Sequence, residues 1–399
     1  MHNDITAALD AGGGAVLIML DLSAAFDTID HAMLLRRFRH HYGITGDALC
    51  LLESYLHDRT QSVIIDGEVS EKRYLRCGVP QGSGLGPKKY GMYAKPIGLI
   101  IKLHGLEYHV YADDTQLYLV LSPKYNQQEV TALLQACVYD LQRWMTINLL
   151  KLNEGKTELI YFQSKFLRQP MATPELTLGD SNIIPVKSVN NLGCYFDSTA
   201  TMVPQINSII KSCCYHIRLI SKIRRFLDTN SCKTLINATV TSRLDYCNSL
   251  LLGCPGTQLG RLQRVQYMAA RLIVQCPKSD HMTPVLKDLH WLKIKPRIEF
   301  KILTFVFKAI NQLAPVYLTE LLTMYVPGRS LRSSSHVNVL VEPKWRIDDY
   351  ADQNFHITAP CLWNQLPTNL RNIPTLDVFK RNLKTHLFRL NYAVGDTTL

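Results

Sequence analysis

The sequence predicts an α+β fold whose second half is helical, and three observations carry this. Residues 1–200 mix short apolar runs, bounded by glycine and proline, with stretches of helical periodicity. After about Met202 the apolar spacing is almost wholly helical. Charge divides at the same place. Residues 1–200 hold 18 Lys+Arg and 21 Asp+Glu, net −3, whereas residues 201–399 hold 26 and 12, net +14. Acidic residues can collect metal ions and basic ones can hold a polyanion, so the two halves suggest two jobs.

Composition narrows the class. The chain has 399 residues, net charge +11, 47% apolar and 19% charged residues. That excludes a disordered chain and allows roughly two to three folded units of about 150 residues. The longest uncharged apolar runs, Ala15–Leu20 and Ile97–Ile101, fall short of the ~18 residues a membrane span needs. No basic segment followed by an apolar one opens the chain, so no secretion signal is expected. The eleven cysteines form no Cys-x-x-Cys pair. This points to reduced thiols in an intracellular, nuclear or cytoplasmic setting, and away from a disulfide framework or a common zinc site.

The elements follow in order. Ala15–Leu20 reads as a buried strand after Gly12-Gly13-Gly14. A helix follows, with Leu34, Leu35 and Phe38 on one face and Arg36, Arg37 and Arg39 around them. Ser62–Gly67 and Arg73–Gly78 read as strands into turns. Gly82, Gly84 and Gly86 punctuate a loop that opens the next helix. Tyr108–Leu121 reads as two strands joined at Asp113-Asp114. Gln127–Asn148 is a long helix with Leu133, Leu134, Cys137, Leu141 and Trp144 at helical spacing. Leu159–Phe162 is a strand, and Asn191–Asp197 begins a small hairpin. Segment 328–350 has little periodicity and reads as a surface loop.

Three aspartates stand out. Asp21 ends a buried apolar strand, where a carboxylate is costly unless paired or bound to a cation. Asp113 and Asp114 are adjacent at a hairpin tip and repel each other. Hard oxygen ligands of this kind suit Mg²⁺. Each alone is equally readable as a helix cap or a polar turn. Together they sit within ordered motifs. Leu20-Asp21-Leu-Ser-Ala-Ala-Phe-Asp27 with Thr28-Ile-Asp-His31, then Gly78-Val-Pro-Gln-Gly-Ser83 with Leu85-Gly-Pro87, then Tyr111-Ala-Asp-Asp114 follow one another. Asn148 through Lys151-Leu-Asn153 with Lys156-Thr-Glu158 comes next, and Leu192-Gly193 with Asp197 closes the series. In order and rough spacing these resemble five motifs of non-LTR retrotransposon (LINE-type) reverse transcriptases. The basic helical part, with Leu362-Trp-Asn-Gln-Leu-Pro367, is similar to the C-terminal tails of animal members.

The resemblance implies a right-hand polymerase palm, an antiparallel sheet with helices, at 1–200 with a remnant of fingers. It implies a helical thumb at 201–290 and a helical C-terminal extension at 291–399. The implied activity is RNA-directed DNA polymerisation, with an RNA template, a DNA primer and dNTP as partners. Two Mg²⁺ or Mn²⁺ ions would be shared by Asp21 and Asp113, with Asp114 auxiliary and the Leu22 carbonyl a further ligand. Phe26 would lie beneath the sugar and exclude a 2′-hydroxyl. Gln81 and Gly82 would lie against the incoming nucleotide. Lys156 would be a general acid for pyrophosphate.

One helix needs no resemblance. In Gln205–Leu227, Ile206, Ile210, Cys213, Ile217 and Ile220 form an apolar stripe, and Lys211, Arg218, Lys222 and Arg225 a basic one opposite. A basic face without acidic partners can track phosphates or simply be solvated. Arg261, Arg264 and Arg271 with Tyr267, and Lys293, Lys295 and Arg297 beside Trp291, suggest further basic surfaces, with Trp291 in the core. Departures from the pattern are Gly84, Lys88 and Lys89, where apolar residues are usual, and an upstream fingers region that is expected to be largely missing. These leave a second reading, a catalytically inactive nucleic-acid-binding descendant. A phosphoryl-transfer enzyme of another kind, such as a nucleotide cyclase, is disfavoured because the basic half suits a long polyanion.

Overall fold

The computed structural model describes residues 1–80, 82–164, 175–179, 181–326, 338–346 and 348–393. Two compact units divide the chain. One is Gly13–Val189, and the other joins Met1–Gly12 to Asn190–Leu399. This division puts α1 (His2–Asp10) with the C-terminal residues.

The Gly13–Val189 unit is built round an antiparallel sheet. Its second strand, β1 (Gly14–Leu20), is buried at every position but Met19. Apolar side chains on both faces need cover on both sides. The short β2 (Leu22–Ser23) follows. The helix expected next is α2 (His31–Tyr42), capped by Asp30, whose carboxylate accepts the Met33 N–H at 2.7 Å. It buries Leu34 and Phe38, and also Arg37. α3 (Gly46–Leu56) comes next. The strands expected across 62–78 are two-residue, exposed pieces: β3 (Thr60–Gln61) pairs with β6 (Arg73–Tyr74), and β4 (Ile64–Ile65) with β5 (Glu68–Val69).

Next come α4 (Gly86–Ala94), α5 (Pro96–Leu103) and the hairpin β7 (Glu107–Tyr111) and β8 (Asp114–Leu121). α6 (Gln127–Ile147) buries Leu134, Cys137 and Leu141, as its spacing predicts. β9 (Lys151–Leu152) pairs with β2, and after a 3₁₀ turn at Glu154–Lys156 β10 (Glu158–Gln163) completes the four-stranded sheet, in the order β10-β1-β8-β7. Below it β11 (Leu176–Leu178) pairs with β12 (Ser181–Ile183). The expected small hairpin is β13 (Ser188–Asn191) with β14 (Cys194–Asp197).

The other unit is helical beyond β14. α7 (Val203–Ile223) carries the long amphipathic pattern. It buries Ile206, Cys213, Ile217 and Ile220 as expected, but Ile209 in place of Ile210. Gln205, one turn before Ile209, is also buried, and its Oε1 accepts the Tyr195 N–H at 3.0 Å. The buried face of α7 therefore includes the Gln205–Ile209 edge. α8 (Thr229–Ile236) runs through a π-turn at Asn237–Thr241 into α9 (Ser242–Asp245). α10 (Gly256–Val274), α11 (Met282–Asp288), α12 (Ile294–Ile310) and α13 (Val316–Thr319) follow. α14 (Asp348–Ala351), α15 (Phe355–Asn364), α16 (Thr368–Arg371) and α17 (Leu376–Ala393) close the chain. Phe307 stacks on Phe379 at 4.4 Å in the core, beside Trp363. Trp291 is buried, as expected. Of the expected loop 328–350, residues 328–337 and 347 lie outside the described residues. The rest holds one isolated bridge, Met324 to Leu340, and α14. Among the described residues no helix is long and apolar enough to cross a membrane.

Candidate active site

The site begins where β1 ends. Leu20 faces Thr115 across the β1–β8 ladder, so the next residue outward on each strand is Asp21 and Asp114. Tyr111 faces Asp114 across the hairpin, which leaves Ala112 and Asp113 as a two-residue tip. Ala112 has φ +53°, a left-handed conformation that strains an alanine by about 1–2 kcal/mol. The pairing of the two flanking strands holds the tip against that strain. The Asn153 N–H donates to the Asp21 carbonyl at 2.9 Å, and Leu22 faces Leu152 next along. Bonded and non-bonded pairs alternate in an antiparallel ladder. The Leu22 carbonyl is therefore turned away from β9.

The carboxylates share one field. Burial pushes Asp114 above the usual carboxylate range, and the charges of Asp113 and Asp21 push it further. Lys156 sits in the 3₁₀ turn, with its Nζ 3.7 Å from an Asp21 oxygen. Tyr90, on α4, is fully buried, and its hydroxyl has no hydrogen-bond partner. Burial, then Asp113 and Asp114, raise its pKa. The Tyr90 ring lies 5.0 Å from the Phe26 ring. Phe26, Leu22, Pro80, Gly82 and Asp113 line one cleft of about 330 Å³.

The second motif is strapped to the first by backbone. The Gly78 N–H donates to the Ile29 carbonyl at 2.7 Å and the Val79 N–H to the Phe26 carbonyl at 2.8 Å. His31 Nε2 meets the Gly78 carbonyl at 2.7 Å. Gly78 has φ +90°, and a Cβ there would stand 3.0 Å from the Asp27 carbonyl oxygen, so only glycine fits. Further along, Ser83 Oγ donates to the Pro80 carbonyl and accepts from the Tyr55 hydroxyl, both at 2.8 Å. Gln81 lies outside the described residues.

Of the two unexpected lysines, Lys88 is exposed and Lys89 is 98% buried. The Lys89 ammonium stands 2.9 Å from the centroid of the Tyr55 ring and has no hydrogen-bond partner. Burial, and secondarily Arg59, lowers its pKa to about 8. Sequence reasoning missed Tyr90, His31, Tyr55 and the burial of Arg37. Arg37 donates to the Tyr93 carbonyl and to Asn148 Oδ1, tying α2 to α4 and to the end of α6. The only sequence signal for Tyr90 was its helical spacing from Gly86.

In the helical unit, Lys211, Arg218 and Lys222 are exposed on one face of α7, and Arg225 is exposed in the 3₁₀ turn Arg224–Phe226. None of the four ion-pairs with a described residue. The Arg225 guanidinium lies 4.7 Å from the Phe226 ring centroid. Its neighbour Arg224 is buried and caps α10, donating to the Leu272 and Ile273 carbonyls at 2.8 Å each. Arg297, from another expected basic surface, pairs with Asp245 at 2.8 Å.

Residues 2–196, which hold the three aspartates and the Gly78 strap, match the family described as reverse transcriptase (RNA-dependent DNA polymerase). Over these residues, just under half of the chain, the sequence resembles a reverse transcriptase domain. Curated relatives agree. A probable RNA-directed DNA polymerase from transposon BS of Drosophila melanogaster is 27% identical over 70% of this chain and 31% of its own length. The RNA-directed DNA polymerase from mobile element jockey of the same species is 26% identical over 52% of this chain and 23% of its own. These are LINE-type elements, and the chain spans a third or less of their length. A telomerase structure from Candida albicans, in complex with a telomeric RNA fragment, aligns over 69% of this chain and 43% of that one. The identity is 11% and the TM-score 0.35. Within residues 2–196, no three His, Cys, Asp or Glu groups among the described residues form a ready-made cation cage.

Proposed function

We propose that this chain is an RNA-directed DNA polymerase of the LINE type, joining dNTP to a primer 3′-hydroxyl against an RNA template. One observation carries the reading. Asp21 and the Asp113-Asp114 tip come to the same end of the β1–β8 ladder, and Asp113 lines a cleft with Phe26 and Gly82.

The donor set fits two divalent ions. Mg²⁺ takes one or two carboxylates and completes its shell with water and substrate phosphates, so a closed protein cage is not required. Burial and the charges of Asp113 and Asp21 raise the Asp114 pKa, a negative field that a cation would relieve. Asp21 and Asp113 would share the ions, with Asp114 auxiliary and the Leu22 carbonyl a further donor. Mg²⁺ or Mn²⁺ held there supplies the charge that makes the 3′-hydroxyl a nucleophile and steadies the leaving pyrophosphate.

The remaining roles belong to the chain. Lys156 rests on Asp21 and is poised to give a proton to the departing pyrophosphate. The Phe26 ring, backed by Tyr90, fills the place a 2′-hydroxyl would need. Gly82, with φ +80° and open space where a Cβ would stand, lets a nucleotide approach backbone, and Gln81 would lie beside it. Residues 1–200 act as palm with a remnant of fingers, 201–290 as thumb and 291–399 as extension. The exposed cations Lys211, Arg218, Lys222 and Arg225 follow the backbone of the template–primer duplex. The test is extension of oligo(dT) on poly(rA) by the full chain with dTTP and Mg²⁺ or Mn²⁺. Extension supports the reading. Tight duplex binding without extension supports the catalytically inactive alternative.

A further inference from the structure

The helical unit contains a cavity that the polymerase reading leaves unused. It has a volume of about 550 Å³, within the range of ligand sites. Its walls come from α12, α17, the π-turn before α9, Asp245 and Asn248 just after it, and the stretch His290–Leu292. A π-turn in a helix commonly marks a functional position. Here it supplies Asn237 and Thr241 to the wall.

Charge in the cavity is one-sided. Asp245 is its acidic wall residue among those described, and Arg297 already neutralises it at 2.8 Å. That leaves Lys301 and Lys308 from α12 and Lys380 and Lys384 from α17, none of them ion-paired with a described residue. Lys301 and Lys308 are seven residues apart and share a helix face, about 10 Å apart along the axis. Lys380 and Lys384 are four apart on a second helix. Two cationic rows of this reach exceed what one phosphate needs. Phe300, Phe305 and Trp291 also line the cavity and give it aromatic wall. Asn248, also in the wall, is 97% buried with its Oδ1 unpartnered. A cation-lined, aromatic-walled groove is the chemistry that holds single-stranded nucleic acid, by phosphate neutralisation and base stacking.

We propose that this cavity seats a segment of single-stranded nucleic acid, with phosphates along the lysine rows and a base against the aromatic wall. The site does not depend on the polymerase reading, because every residue in it belongs to the helical unit.

Photocrosslinking with a 4-thiouridine-containing 12-mer RNA, followed by peptide mapping, tests this on the full chain. The expected result is a crosslink at Trp291, Phe300, Phe305 or an adjacent wall residue. In Lys380→Gln/Lys384→Gln that crosslink should be lost while crosslinks elsewhere persist. The salt slope of 12-mer binding should flatten by about 1.4, at ~0.7 per single-strand phosphate contact. Both lysines reach solvent, and circular dichroism will verify that the variant folds. Two competitors separate the sources of phosphate. Unlabelled 12-mer should abolish the crosslink, whereas AMP or inorganic phosphate at the same concentration should not. Three outcomes overturn the proposal: crosslinks only outside the cavity, an unchanged crosslink in the folded variant, or equal protection by AMP or phosphate.

Discussion

Asp114 shows how the site's chemistry appears as a stability effect. Its folded pKa is raised, so the fold disfavours its charged form. Stability from this group is greatest below the carboxylate range and falls as pH rises through it. Asp114→Asn should therefore raise the Tm of the metal-free protein at pH 7. The gain should shrink as pH falls through the carboxylate range, and each kcal/mol relieved is about 2–4 °C in a unit of this size. Millimolar Mn²⁺ should also raise the wild-type Tm, and Asp113→Asn should lose that rise. A lower Tm for Asp114→Asn at pH 7 would mean the carboxylates are not in repulsion. Phe26 makes a separate prediction. Phe26→Ala should raise rNTP incorporation relative to dNTP on one template, and an unchanged ratio would make Phe26 a core residue only.

At the scale of elements, α4 carries a conflict. Lys89 is buried beneath Tyr55 without a hydrogen-bond partner. Lys89→Met should stabilise the protein by about 1 kcal/mol, the desolvation relieved less the cation–π attraction lost. Because the Lys89 pKa falls from 10.5 to about 8, the wild type should regain stability on the variant as pH rises from about 8 toward 10.5. Equal pH profiles in urea unfolding would refute this. The sequence showed that lysine stood at an unusual place, but its partner, Tyr55, is on another helix, and no periodicity links them. β1 was legible because a continuous apolar run has one economical solution, and Asp21 because it ends that run. Ile210 was expected where Ile209 is buried, because the apolar spacing fits either and the burial of the polar Gln205 on the Ile209 edge leaves no hydrophobic signal. The basic stripe on α7 was legible, and its exposure holds. Replacing Lys211, Arg218, Lys222 and Arg225 by Gln should flatten the log–log salt slope of duplex binding by about 3 to 4. An unchanged slope in a folded variant would make the stripe a solvated face.

The whole molecule joins a near-neutral α+β unit to a basic helical one, and the charge asymmetry was visible before any fold. What the sequence could not show was which unit the first twelve residues belong to. The first twelve residues join the helical unit through contacts such as the Asn354 side chain donating to the Asn3 carbonyl at 3.1 Å. Such a contact between chain ends leaves no local pattern. The central claim is that Asp21 and Asp113 form one site for nucleotidyl transfer. The direct measurement is primer extension on poly(rA) by wild type, Asp21→Asn and Asp113→Asn, with RNA binding measured in parallel. The account predicts extension by the wild type, none by either variant, and nearly equal RNA binding by all three. Near-normal extension by either variant would contradict it.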